Sequence, residues 1–576
     1  MKYRSDIDVL RTFAVFPVIL FHLGFSQRGY LGVDVFFVIS GFLITGIIFK
    51  EINAGNFSFL NFYERRIRRI IPLVLSIITF SFPFFYFIML PDDLENFAQS
   101  IVATNLFSNN ILLEITTGNY WDVVNDFKPL MHTWSLGIEE QFYFIYPFLF
   151  ILFKSKKKLL IILSVLSIIS IILFFSSFPD SYKFYYLPFR FFELAVGGII
   201  FLISKNININ YNYLFVLVPV LIFLLFVNYI EINNNLLIPI TIFITSAIIL
   251  TDYKKNSFLI KIFENKLLVF LGKISFGLYL WHQIIFSFYR YRFDHELTNL
   301  STSFSLIVLT VIFSVLTYYF VERPFRNFKK YSFKTVLIFL SILFFSTSTF
   351  SLLIYSKGGV VRDVPELSIL KDNDNFKIHQ KYNDNVRALH SNIEFQDKTK
   401  PNVLVIGNSF ARDWINVLKE INDFNTLEII YVEKKESLKT FSGKKLLHDS
   451  NIIFVSEMSK LRLKNLNVPE YKTFCVGTKN FGENNGIFYN HTGPNYYNQK
   501  TRIDGKFIKL NNKLLGEWGA NYINILGYVI ENDKVPVFTN DSLFISQDTR
   551  HFTKGGAKYF AQLIEEDVSL ILKNNL

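Results

Sequence analysis

Up to about residue 355 the chain is dominated by long apolar runs, and beyond that point they thin out. No other feature limits its fold as strongly. A run of ~20 mostly apolar residues is the length of a membrane-spanning helix, and a helix satisfies its own backbone N–H and C=O groups where water is absent. Eleven runs are read as spans: 7–25, 31–50, 73–90, 140–154, 159–178, 184–203, 212–230, 235–251, 267–289, 302–321 and 333–355. The first is not expected to be a cleaved signal peptide. It contains Arg11 and His22, lacks a small-residue cleavage site and leads straight into the next run.

The charges fit that reading. Residues 1–355 hold 29 Lys and Arg against 21 Asp and Glu, and the remainder holds 30 against 26, so most of the net +12 lies in the apolar part. A nucleic-acid-binding protein would gather its cations with aromatics on a soluble face. Here they cluster after even-numbered runs: Arg65–Arg69, Lys154 with Lys156–Lys158, Lys254, Lys255, Lys261 and Lys266, then Arg323, Arg326, Lys329 and Lys330. The odd connections carry Pro91-Asp92-Asp93, Pro179-Asp180 and Glu231, with few cations apart from Arg290 and Arg292. The positive-inside rule then places the N-terminus in the cytoplasm, and eleven spans place the C-terminus outside. The single cysteine, Cys475, excludes an intrachain disulfide and a cysteine-built zinc site, and no metal is expected.

Residues 356–400 are polar and read as an extracytoplasmic linker. From 401 the pattern changes to short apolar runs at Val403–Ile406, Glu428–Val432, Ile452–Val455, Thr473–Val476, Tyr522–Leu526 and Val535–Phe538, with helix-like stretches between them. That alternation predicts a parallel α/β domain. The expected domains are therefore 1–330, a transmembrane bundle; 331–400, a further span and linker; and 401–576, the α/β domain.

Ionisable groups inside spans are costly and mark function by default. Arg11 and His22 are eleven residues apart on one run, nearly three turns, so they should share a face about 16 Å apart. That suits anchoring an anionic group and moving a proton. Asp34, Glu139, Glu140, Arg190, Glu193 and His282 occupy other runs, and Arg190 and Glu193 are spaced to pair. Taken singly, each also fits a structural pair or an interface anchor. Together they predict a polar cavity, which suits an enzyme and a transporter equally.

In the C-terminal part, Val403–Ile406 followed by Gly407-Asn408-Ser409 reads as strand, tight turn and helix start. Ser409 would be exposed there, with its own N–H available to an oxyanion. Asp548 and His551 are three apart near the chain's end, so the carboxylate can fix the imidazole that deprotonates the serine. Trp518, Tyr522 and the Tyr496-Tyr497 pair are candidate sugar-stacking platforms, or ordinary core and edge aromatics.

Six segments in order resemble the acyltransferase-3 family across residues 1–330. They are Ile7–Arg11 with His22, Gly32–Leu43, Phe62–Pro72, His132–Tyr143, Ser275–His282 and Glu322–Arg326. The resemblance implies a ten-helix core plus one linking span. It implies an O-acetyltransferase that takes acetyl from cytoplasmic acetyl-CoA across the bacterial inner membrane to hydroxyls of a surface glycan such as lipopolysaccharide O-antigen. Acetyl-CoA is then a donor substrate, and no bound cofactor is expected. In that reading Arg11 contacts the donor, His22 is the acid/base, Arg66 and Arg69 hold CoA phosphates, and Glu139 with His132 lies at the outer mouth. The 401–576 segment resembles SGNH hydrolases, whose nucleophile comes first and whose Asp and His come last, on a flavodoxin-like three-layer fold. That implies an oxyanion hole of Ser409, Gly477 and Asn480. The rival readings are a glycan-precursor exporter with a C-terminal binding domain, and a C-terminal esterase.

Overall fold

A computed structural model describes the chain except residues 1–2, 118–125, 154, 208, 227–232, 252–257, 294–296, 298, 372–377, 393, 398, 422–425, 434, 484, 547 and 576. Lys154, Glu231, Lys254 and Lys255, used above for sidedness, lie outside the described residues. The chain divides into two compact units, 1–89 with 93–356, and 90–92 with 357–576.

The first unit is helical, and the described residues of each of the eleven apolar runs are mainly helix. Among the described residues six helices are long and apolar enough to cross a membrane, and the bent pair Lys266–Lys273 and Ser275–Arg292, broken by 65°, makes a seventh when it is counted as one span. Leu214–Phe226 and Asn234–Ile249 are shorter apolar helices. Two helices start earlier than the sequence predicts. Phe59–Ile88 takes in the Arg65–Arg69 cluster, because Ser58 caps it by accepting the Asn61 N–H, and Pro72 lies mid-helix. Trp134–Leu152 takes in Glu139 and Glu140. Small residues draw helices together: a Cβ on Gly41 would collide with the Leu194 backbone, and one on Gly197 with that of Val38. The Gly32–Asn53 and Leu187–Ile203 helices therefore pack closely. Where they meet, Arg190 bonds Asp34 (2.8 Å) and lies 2.9 Å from Glu193, all three buried.

The second unit has a five-stranded parallel sheet in the order β2-β1-β3-β4-β6, with β1 Asn402–Ile406, β2 Glu428–Val432, β3 Ile452–Ser456, β4 Thr473–Val476 and β6 Tyr522–Ile523. β5 (Lys500–Arg502) and β7 (Lys534–Pro536) form a separate antiparallel ribbon. The run at 535–538 thus leaves the main sheet, as Pro536 suits: it has no N–H to give a central ladder. Alternate strand residues feed two apolar cores. Val403, Val405 and Phe454 pack with Trp414 and Phe560 on one face. Leu404, Ile406 and Val455 pack with Leu446 and Trp518 on the other. Helices therefore cover both faces in three layers. In such doubly wound sheets ligands bind beyond the strand C-termini where the order reverses, which here is between β1 and β3.

Candidate functional site

Beyond β1, Gly407 has φ +151°, and a Cβ there would collide with Ser456 Oγ. Only glycine allows the chain to turn so sharply beside β3. Asn408 then caps the Ser409–Lys419 helix by accepting the Phe410 N–H at 3.1 Å. Ser409 becomes the first helical residue, at the positive end of the helix dipole.

His551 Nε2 lies 2.8 Å from Ser409 Oγ, and His551 Nδ1 lies 2.8 Å from Asp548 Oδ2. A carboxylate accepts only, so the Nδ1–H donates to Asp548 and leaves the Nε2 lone pair for the serine O–H. Asp548 also accepts the N–H groups of Arg550 (2.6 Å) and His551 (2.8 Å). Burial pushes its carboxyl up, but the imidazole and the two N–H donors outweigh this and hold it down at about 2. The three groups have the geometry that activates a serine nucleophile.

Beneath the triad lies a pair that sequence reasoning missed. Lys479 is buried, donates to Asp413 and donates to the Arg550 carbonyl at 2.6 Å. Burial pushes its pKa down, and Asp413 opposes that shift. Asp413 also accepts the Phe552 N–H (3.2 Å). The serine's helix and the histidine's loop are thereby tied through one ion pair. The signal was faint: a lone Lys after β4 and a lone Asp one turn past the serine. Arg550 stacks over Phe410 (4.1 Å) and Phe507 (4.8 Å) and donates to Glu457 (3.1 Å).

Two expectations are corrected here. The Gly477 N–H is taken by the Ile523 carbonyl at 2.8 Å as the sheet continues, so it is not an oxyanion donor. The Asn480 amide faces the Thr549 carbonyl (3.4 Å), and its oxygen accepts the Gly482 N–H (3.1 Å), so it braces loops. Trp518 and Tyr522 are also not sugar platforms. Both are buried, bonded to the Met458 carbonyl and to Asn511 at 2.8 Å each. Tyr496 and Tyr497 pack on each other (4.8 Å), with Tyr497 exposed.

The helical unit contains a cavity of about 610 Å³. Arg11, Arg66 and Arg69 all line it, joined by Arg4, Lys273 and Arg326. Among the described residues two carboxylates, Asp8 and Glu139, line it with these six cations, while Asp6 and Glu322 pair with Arg4 and Arg326 from outside the lining. Arg11 pairs with Asp8 (3.1 Å) and Arg326 with Glu322 (2.5 Å). Among the described residues, Arg66 and Arg69 make no ion pair, so the cavity carries uncompensated positive charge suited to an anion. Neighbouring Arg68 is structural instead: it is buried, pairs with Glu64 and donates to the Phe325 and Tyr331 carbonyls. Glu139 is not grouped with His132, which is absent from the cavity lining. It lies in the arginine cavity, accepting from Ser40 and Tyr143. His22 is absent from the cavity lining and buried in an imidazole cluster, its ring 5.2 Å from His282, which is 5.3 Å from His132.

The model of the acyltransferase-3 family, described as an acyltransferase domain, matches residues 4–319, more than half of the chain. The chain belongs to the acyltransferase-3 family. It is a multi-pass membrane protein, as the family and its apolar helices require. Among named relatives, "Putative O-acetyltransferase SAS0844" of Staphylococcus aureus (strain MSSA476) is 32% identical over 356 residues, 57% of this chain and 58% of that protein. The O-acetyltransferase OatA of S. aureus (strain MRSA252) is 30% identical over 387 residues, 59% and 62% respectively. The alignments thus span about three-fifths of the relatives' length. No solved structure matches the chain. The family match ends before residue 401, so the Ser409 site rests on its own geometry.

Proposed function

We propose that the protein is an O-acetyltransferase of the bacterial inner membrane, moving acetyl groups from cytoplasmic acetyl-CoA to hydroxyls of a surface glycan such as lipopolysaccharide O-antigen. The observation that carries this is a serine activated by an Asp-His pair on the same chain as an acyltransferase-3 domain. The uncompensated arginines of the helical unit suit the phosphates of CoA, which Arg66 and Arg69 would hold by bidentate hydrogen bonds. Arg11 would face the same donor, and a carrier hydroxyl would attack the acetyl carbon as the C–S bond breaks, its proton passing by way of His22 and the imidazole cluster to the departing CoA sulfur.

The second stage belongs to Ser409. His551 takes the Oγ proton as the oxygen attacks the carbonyl of the delivered acetyl group. The oxyanion is met by the Ser409 N–H and the helix dipole. Collapse breaks the bond to the carrier oxygen that delivered the acetyl group, that oxygen takes the proton from His551 to become the free hydroxyl again, and Ser409 keeps the acetyl as an ester. A glycan hydroxyl then gives its proton to His551 and attacks the ester, releasing Ser409. Two moderate barriers replace one high one.

The test compares surface glycans by NMR from cells carrying the wild-type chain, Ser409→Ala, or no chain. The expected result is glycan O-acetyl present with the wild type and absent in both others. Undiminished O-acetylation with Ser409→Ala would remove the serine from the reaction, and transport of glycan by purified protein that consumes no acetyl-CoA would establish the exporter instead.

A further inference from the structure

The arginine cavity and the histidine cluster share a boundary, and three helices draw it in the same place. Along Ser5–His22 the cavity residues end at Arg11, and His22 comes three turns later. Along Ser275–Arg292 they end at Tyr279, and His282 follows within one turn. On Trp134–Leu152 they begin at Ser135, just after His132. Tyr279 alone among the cavity residues packs its ring on two of the described histidines, 5.3 Å from His132 and 5.7 Å from His282. Its hydroxyl donates to the His132 carbonyl at 2.8 Å and lies 2.7 Å from Ser135 Oγ. Tyr279 is thus a hydrogen-bonded partition between the cationic cavity and the imidazoles.

We propose that Tyr279 sets the length of the acyl group the protein accepts, its latched ring closing the cavity before His22 and leaving space beside it for a short chain only. This deepens the proposed function and rests on it. A two-carbon acyl group can lie against the ring, whereas each further methylene must displace it. One methylene of misfit in a packed apolar pocket costs about 10-fold or more in kcat/KM. The hydroxyl latch fixes the ring's place, and the ring's volume does the excluding.

The test uses the purified full chain in lipid nanodiscs with acetyl-CoA, propionyl-CoA and butyryl-CoA, following release of the CoA thiol. The quantity read is the ratio of kcat/KM for butyryl over acetyl. Tyr279→Ala should raise this ratio at least about 10-fold. Tyr279→Phe, which keeps the ring, should keep the wild-type ratio. Tyr279→Leu, which retains more packing, reads the same ratio if the alanine variant is not recovered folded. An unchanged ratio in the folded alanine or leucine variant overturns the inference, as does an equal rise in Tyr279→Phe. If the wild type releases thiol from none of the three thioesters, the donor reaction itself is refuted, and this inference with it.

Discussion

Replacing Lys479 with Met should loosen the active site from beneath without touching a reacting atom. Lys479 and Asp413 are both at most 3% exposed at the side chain. Removing the cation leaves a buried carboxylate whose remaining protein donor among the described bonds is the Phe552 N–H. It also strips the Arg550 carbonyl of its lysine. Breaking a buried pair from one side costs about 3–5 kcal/mol, a large share of the ~5–15 kcal/mol that holds a domain together. At ~1.4 kcal/mol per decade that is roughly two to three and a half decades in the local opening constant. Hydrogen exchange by mass spectrometry on the full chain reads it, and the acceleration should fall on Ser409–Lys419 and on residues 548–552. Asp413→Leu should behave alike. The double variant removes both charges and leaves only neutral groups unpaired, at about 1–3 kcal/mol each, so it should cost less than the two singles added. An additive cycle would refute the argument, because additivity is what independent sites give.

Asp548→Asn should leave the fold intact and cut Ser409-dependent hydrolysis of p-nitrophenyl acetate by about 10³–10⁴-fold, since an amide no longer fixes the imidazole tautomer. The Asp548 carboxyl sits at about 2, below its ordinary value of 3.8. Its contribution to the stability of this unit is therefore fully present above about 4 and is lost as pH falls toward 2, so the unit should unfold more readily within that window. A pH series of thermal unfolding on the full chain checks it. Burial pushes the Cys475 thiol up to about 12, so the native chain should resist maleimide at neutral pH. In that silent background Phe441→Cys, at a position 89% exposed, should react with a membrane-impermeant maleimide in intact spheroplasts. Reaction only after lysis would place this unit in the cytosol and remove the purpose of a transmembrane acetyl relay.

The triad was legible because each member sits in a strong local pattern: a strand ending in Gly407, a helix start, and an Asp and His three apart. The apolar runs were legible because bilayer-length helices need bilayer-length sequence. Helix starts were missed at 59 and 134, where polar residues continue a helix that hydropathy alone ends. The Gly477 assignment failed because a glycine after a strand looks the same whether its N–H is free or held by the next strand. Pairs such as Lys479–Asp413, and the partition at Tyr279, bring together residues far apart in sequence, and no local pattern announces them.

Ser409 and the imidazole proposed as its general base stand 142 residues apart in the chain. During synthesis the nucleophile therefore leaves the ribosome well before the imidazole that activates it. Until the later segment folds back onto the sheet, Ser409 is an ordinary alcohol, inert toward cellular esters and thioesters. Maturation of the domain is thus also the switch that arms it.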